Sequence, residues 1–216
     1  MKVHLIGDSD SVLNQFIAEI RDQEIQKDAM RFRQNMHRIG QILAYELSRS
    51  FSYSDKLIGT PLGTKKMRLS NEQIVVASVL RAGLTLHHGV LEIFDRAENA
   101  FISAYRKNIS QYEFDIHVEY LACPDLNGKT LILADPMIAT GRSLLMVHKA
   151  ILKNGTPAKI HIVSVIASQK GLEHIQEHLP ATTEIWLAAV DPDLDAKSYI
   201  VPGLGDAGDL AFGSKL

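Results

Sequence analysis

Asp135, Thr140, Gly141 and Ser143 are the residues whose types and spacing point most directly to chemistry. They belong to the stretch Leu131-Ile132-Leu133-Ala134-Asp135-Pro136-Met137-Ile138-Ala139-Thr140-Gly141-Arg142-Ser143. The acid stands at the end of an aliphatic, β-branched run, Thr130 to Ala134, long enough for one buried strand and too short for a helix. The hydroxyls and the glycine stand just ahead of Leu144, Leu145, Val147, His148, Ile151 and Leu152, which recur at helical spacing until Asn154-Gly155. A helix N-terminus presents unpaired N–H groups and the positive end of a dipole, and Thr140, Gly141 and Ser143 add hydroxyls and a side-chain-free approach. That is the chemistry of a phosphate cradle, with Asp135 placed to meet ribose hydroxyls. The same letters also fit an ordinary strand-to-helix turn capped by Thr or Ser, so the loop alone leaves both open.

Two arginines follow the same logic. Arg81-Ala82-Gly83 closes the buried run Ile74 to Leu80, and Arg106 closes the run Ala100 to Tyr105. A guanidinium at a strand end suits an anion, although a surface arginine beside a turn glycine reads alike.

The elements that must position these residues alternate along the chain. Asp10-Ser11 starts a helix with Val12, Leu13, Phe16, Ile17 and Ile20 on one side, and Phe32, Met36, Ile39, Leu43 and Leu47 form the seam of a second. Residues 51–73, with Gly59, Pro61 and Gly63, predict an irregular or hairpin region. Strands are predicted at 74–80, 100–105, 130–134, 160–167 and 184–190, with helices after 83, 143 and 171. A projecting hairpin is expected between Arg106 and Gly128. Such alternation predicts an α/β fold with a mainly parallel central sheet, whose ligands gather beyond the strand carboxyl ends. A single domain is expected over 1–216, with a helical lead-in at 1–50, an α/β core at 74–190, a flap at 106–128 and a C-terminal loop at 191–216.

Composition narrows the function class. A chain of 216 residues with 46% hydrophobic and 22% charged residues is ordinary for a soluble globular protein. A net charge of −2 supplies no drive toward nucleic acid or membrane. Cys123 is the only cysteine, so no intrachain disulfide can form, which fits a reducing cytoplasm. No apolar run approaches the ~18 residues of a membrane span, and Asp8 interrupts any leader-like start.

Three motif matches fail on context. Gly59 to Lys66 has the wrong glycine spacing for a nucleotide P-loop and no preceding buried strand. His174-Ile175-Gln176-Glu177-His178 fits an inverted zinc-protease pattern, but Leu172, Ile175 and Leu179 supply the buried stripe and leave the histidines on a solvated face. Gly203-Leu204-Gly205-Asp206-Ala207-Gly208 matches the dinucleotide fingerprint, yet no βαβ unit can follow it before Leu216. Those glycines need another explanation.

The sequence resembles the uracil phosphoribosyltransferases of the type I phosphoribosyltransferase fold. The resemblance is densest at Leu80-Arg81-Ala82-Gly83 with Gly89-Val90-Leu91-Glu92, at Tyr105-Arg106, at Asp135 to Ser143, and at Tyr199 to Gly213, the last being specific to the uracil enzymes. It implies a small hood formed by N- and C-terminal segments over the sheet. It implies that phosphoribosyl pyrophosphate (PRPP) is held by Asp135, Pro136, Met137, Ile138, Ala139, Thr140, Gly141, Arg142 and Ser143, with Asp206 approaching it. Arg81 and Arg106 would face the pyrophosphate, with magnesium carried by the substrate and no metal site of the protein's own. Uracil would meet Ile200, Gly205, Asp206 and Ala207, largely through backbone groups. The catalytic set would be Asp135, Arg81 and Arg106, the product UMP, the cell compartment the cytoplasm, and the assembly a homodimer or higher homo-oligomer. Four positions depart from the pattern: Arg142 replaces a glycine, His88 an acid, Leu210 a basic residue, and Lys197-Ser198 a glycine before Tyr199. A competing reading is a nucleotide-sensing or RNA-binding regulator with little catalysis. Near-neutral charge and the intact Tyr199 to Asp209 stretch count against it.

Overall fold

The structure is a computed structural model that describes residues 1–108 and 114–214, with side chains described outside 104–118. In chain order the elements are β1 (Lys2–Leu5), α1 (Val12–Arg21), α2 (Ala29–Ser48), β2 (Tyr53–Thr60), β3 (Gly63–Ser70), β4 (Ile74–Leu80), α3 (Gly83–Ile93), β5 (Glu98–Asn108) and β6 (Phe114–Ala122). They continue with β7 (Thr130–Ala134), β8 (Met137–Ile138), α4 (Arg142–Ile151), β9 (Lys159–Ser168), α5 (Gln169–His178), β10 (Glu184–Asp191), β11 (Asp193–Leu194), β12 (Ile200–Val201) and α6 (Ala207–Phe212).

The central sheet runs β1-β10-β9-β7-β4-β5-β6, with β8 added along β9. Every pairing is parallel except β5 with β6, which form an antiparallel hairpin at one edge. The tip of the flap expected from the sequence, 109–113, lies outside the described residues. β4 and β7 sit together at the centre and are buried almost throughout, as their uninterrupted aliphatic runs predict. The carboxyl ends of these two strands, each followed by a loop and a helix, therefore open on the same edge of the sheet.

Two features were not read from the sequence, and a third, the 51–73 region, takes the hairpin form of its two expected forms. β1 adds a parallel edge strand beside β10. Its four residues carry His4, and it is held by partners far along the chain: the His4 ring stacks on Trp186 at 3.6 Å and its Nε2 lies 2.7 Å from Glu184. The glycine-rich C-terminal stretch contains the short helix α6. The 51–73 region is a regular antiparallel ribbon, β2 with β3, exposed along nearly its whole length.

On one face of the sheet α1 and α2 form the lead-in. Ser11 caps α1 by accepting from the Leu13 N–H, and Asp28 caps α2 by accepting from that of Arg31. The seam Phe32, Met36, Ile39, Leu43 and Leu47 is fully buried against the core. One polar node ties the two helices together. The Glu19 carboxylate accepts from Arg31 (2.7 Å), Gln15 (3.0 Å) and Asn35 (2.6 Å). Arg31 first, then Gln15 and Asn35, hold its pKa down to about 2 from an ordinary 4.5. A carboxyl whose folded pKa is depressed stabilises the fold above its unfolded pKa and loses that contribution as pH falls through the folded value. Glu19→Gln is therefore expected to flatten the fall in melting temperature between pH 4.5 and 2, measured beside the wild-type protein.

Candidate active site

The loop after β7 is fixed at both ends. The Asp135 N–H donates to Val163 O (3.1 Å), and the Pro136 carbonyl accepts from the N–H groups of Val165 and Ile166 (3.0 and 3.1 Å). Further on, the Ala139 carbonyl accepts from the Ser168 hydroxyl at 2.6 Å, and that hydroxyl oxygen caps α5 by accepting from the Gly171 N–H. Between these pins the chain turns through Gly141, at φ +74°, into α4. A side chain there would strain the left-handed backbone, and its Cβ would lie 3.0 Å from the Gly171 carbonyl and 2.5 Å from Ile175. Gly141→Ala is expected to cost about 1–2 kcal/mol and to weaken PRPP binding, readable by thermal unfolding and by the KM for PRPP.

Helix capping separates the two helices that directly follow the β4 and β7 loops from the rest. Side chains cap α1, α2, α5 and α6, the last through Asp206, which accepts from the N–H groups of Gly208 and Asp209. Among the described residues no side chain caps α3 or α4. Apart from the Leu84 N–H, which donates to the Arg81 carbonyl (3.2 Å), the N–H groups of these first turns face the sheet edge where the β4 and β7 loops lie and suit another acceptor.

Across from the loop stands the C-terminal segment. Its β12 pairs with β11, and α6 docks on Arg81, whose Nη2 donates to Asp209 Oδ1 (3.1 Å) and to the Gly213 carbonyl (3.2 Å). The Nε of Arg81 is buried with no hydrogen-bond partner among the described residues. Between loop and segment lies a cleft of about 530 Å³.

Arg81, Asp135, Pro136, Met137, Ile138, Ala139, Thr140, Gly141, Ser143, Ile200, Gly205 and Asp206 all line this cleft. Arg142 does not: it is the exposed first residue of α4. Ala207 is buried at the start of α6 and is not on the cleft wall, although Asp206 and Gly208 on either side are. Arg106 is in β5, where its backbone pairs with Ile116, and its side chain lies outside the described residues.

Asp135 reaches the cleft from the base of the loop. Desolvation raises its pKa to about 7, against a smaller opposing pull from the Met137 N–H. It makes no ion pair with any described residue.

Lys197 and Ser198 also line the cleft, beside Tyr199; sequence reasoning treated the first two only as departures. Asp195 folds this corner, its Oδ1 accepting from the N–H groups of Lys197 and Tyr199, both at 2.8 Å. The turn forces Ser198 to φ +65°. A glycine expected at this place is thus explained by the backbone, and the Asp195-Ala196-Lys197-Ser198 turn chemistry was the available signal.

Comparison with known proteins agrees with this geometry. The family model described as uracil phosphoribosyltransferase matches residues 8–214. A protein of that name from Porphyromonas gingivalis is 50% identical over the full length of both chains. One from Thermococcus gammatolerans is 36% identical over 99% of this chain and 94% of its own. Among solved structures, the AQ2163 protein from Aquifex aeolicus superposes with a TM-score of 0.87 at 31% identity, covering 99% of each chain. A hypoxanthine phosphoribosyltransferase from Staphylococcus aureus, at 10% identity over 80% of this chain and 85% of its own, shares the fold with a TM-score of 0.51. A family match over nearly the whole chain, with full-length relatives at 50% and 36% identity, shows that the chain belongs to the uracil phosphoribosyltransferase family.

Proposed function

We infer that the protein transfers the phosphoribosyl group of PRPP to uracil N1, giving UMP and pyrophosphate. The observation that carries this is the meeting of two unlike walls on one cleft: a phosphate-ready loop with an acid, and a glycine-rich segment that offers backbone. The 5′-phosphate fits the 139–143 loop, where the α4 N–H groups, Thr140 and Ser143 can donate. The ribose hydroxyls fit Asp135. Uracil fits against Ile200, Gly205 and Asp206, where a fixed backbone can read both N–H and C=O of the base edge.

In the reaction the N1–C1′ bond forms as the C1′–O bond to pyrophosphate breaks, and N1 releases its proton. The walls bring both reactants together and hold fixed charge where charge develops, which is how such a displacement is accelerated without a covalent intermediate. Arg81 and Arg106 are the cations for the leaving pyrophosphate. Asp135 and Asp206 offer hard carboxylate oxygens to the same cleft, a donor set suited to magnesium shared with substrate phosphates. When bound with PRPP, magnesium neutralises part of the pyrophosphate charge.

Incubating the pure protein with PRPP, magnesium and uracil, with hypoxanthine and orotate in parallel, tests the reading. UMP from uracil alone is expected. No product from any base would refute it.

The active species proposed is a homodimer or larger homo-oligomer. Support comes from the ribbon β2–β3, which presents Leu57, Ile58, Leu62, Met67 and Leu69 to the surface. Light scattering of the wild type and of Leu57→Lys with Leu62→Lys reads the mass, and a monomer in both would refute it. No helix among the described residues is long and apolar enough to cross a membrane. A cytoplasmic location is proposed on the single, partly buried Cys123.

A further inference from the structure

A wall that offers a base its backbone needs that backbone held still. Three side chains of the N-terminal helical lead-in reach it. Arg21, the last residue of α1, donates through both Nη atoms to the two carboxylate oxygens of Asp191 at 2.8 Å. The same Arg21 donates to the Gly203 carbonyl (3.0 Å), while Asp191 Oδ2 accepts from the Gly203 N–H (3.0 Å). Both backbone groups of one glycine are thus held by one ion pair. Gln26, with its amide turned to donate, reaches the Leu204 carbonyl at 2.8 Å, and Arg33 donates to the Ala211 carbonyl at 2.7 Å.

Gly203 sits at φ +60°, and a Cβ there would lie 2.0 Å from the Ile200 carbonyl, so the chain folds tightly back on the residue that opens the base wall. This accounts for the first glycine of the unexplained Gly203 to Gly208 run. Asp191 is 5% exposed and ends β10, so the anchor stands on the central sheet. We propose that Arg21 and Asp191 are positioning residues for base binding: they clamp Gly203 between α1 and β10 and thereby aim the backbone of Ile200, Gly205 and Asp206 at uracil. The proposal rests on the assignment of that wall to the base.

The test compares Arg21→Ala, Arg21→Lys, Asp191→Asn and Gly205→Ala in steady-state kinetics, with folding checked by thermal unfolding. Losing a charge-assisted hydrogen bond corresponds to about a tenfold loss in binding. Arg21→Ala and Asp191→Asn are expected to raise the KM for uracil about tenfold or more, while kcat at saturating uracil and the KM for PRPP stay within about twofold. Arg21→Lys, which keeps one donor but not the fork, is expected to fall between, and it carries the test if the alanine variant does not fold. A uracil KM unchanged in the Arg21 and Asp191 variants but raised in Gly205→Ala would overturn the clamp and leave the base wall standing. An unchanged KM in all the variants would overturn the base wall itself. Equal rises in both KM values would reduce the pair to a general structural role and overturn the proposal.

Discussion

Asp135→Asn is expected to lower uracil-dependent turnover by about 100-fold or more while the protein remains folded. The expectation follows from where the carboxyl sits. It is fixed by the backbone at the end of a central strand, faces the cleft, and has no ion-pair partner among the described residues. Charge held ready in a site that excludes water is worth about 10²–10³ in kcat when one group is removed. Asparagine keeps the shape and removes the charge, so a fold-wide cause can be separated from a chemical one. With desolvation holding its pKa at about 7, the wild-type carboxyl is protonated at pH 5 and charged at pH 8. The kcat/KM for PRPP should therefore climb across pH 7, and that limb should vanish in Asp135→Asn.

Stability should move the opposite way with pH. The folded pKa lies above the unfolded value of 3.8, so the folded state binds the proton more tightly. The contribution favours folding below about pH 4 and is lost as pH rises through about 7. Asp135→Asn is expected to gain melting temperature relative to wild type between pH 5 and pH 8, in the absence of ligand. A parallel pair of pH profiles would refute the shifted carboxyl.

The loop that carries Asp135 was legible in the sequence because the whole transition from buried strand to helix N-terminus is local. Its aliphatic run, its Thr-Gly and its helical repeat lie side by side, and each local preference agrees with the fold. The positions of β4, α3, α4 and β9 follow for the same reason. What could not be read there depends on partners far along the chain. Arg21 and Asp191 are 170 residues apart, and neither residue type at its position signals a clamp. β1 is a strand because β10 and Trp186 receive it, not because four residues with a central histidine favour one. Ser198 entered as a departure from a family pattern, and only the Asp195 turn shows why a glycine would suit that backbone. Arg142, the most conspicuous departure in the loop, is the exposed first residue of α4, a position at which a helix accepts a long side chain as readily as a glycine.

Arg81→Ala is expected to lower kcat/KM for PRPP by about 10²–10³, and the reason turns on which partner wins the guanidinium. In the structure Arg81 donates to Asp209 and to the Gly213 carbonyl, and its Nε lies buried without a partner among the described residues. The Arg81 and Asp209 side chains are both 38% exposed. An ion pair that open to water is worth about 0–1 kcal/mol. A pyrophosphate brings several charges and pairs of oxygens that match the guanidinium fork, an interaction of about 1.5–3 kcal/mol for each charged hydrogen bond. The substrate should therefore draw Arg81 away from Asp209 rather than be excluded by it. Asp209→Asn is accordingly expected to change kcat/KM by no more than about threefold and the melting temperature by a few degrees at most. Steady-state kinetics on the two variants decide the matter. Comparable losses of kcat/KM and of melting temperature in Arg81→Ala and Asp209→Asn would make the pair a structural lock on α6 and remove Arg81 from the pyrophosphate side of the reaction.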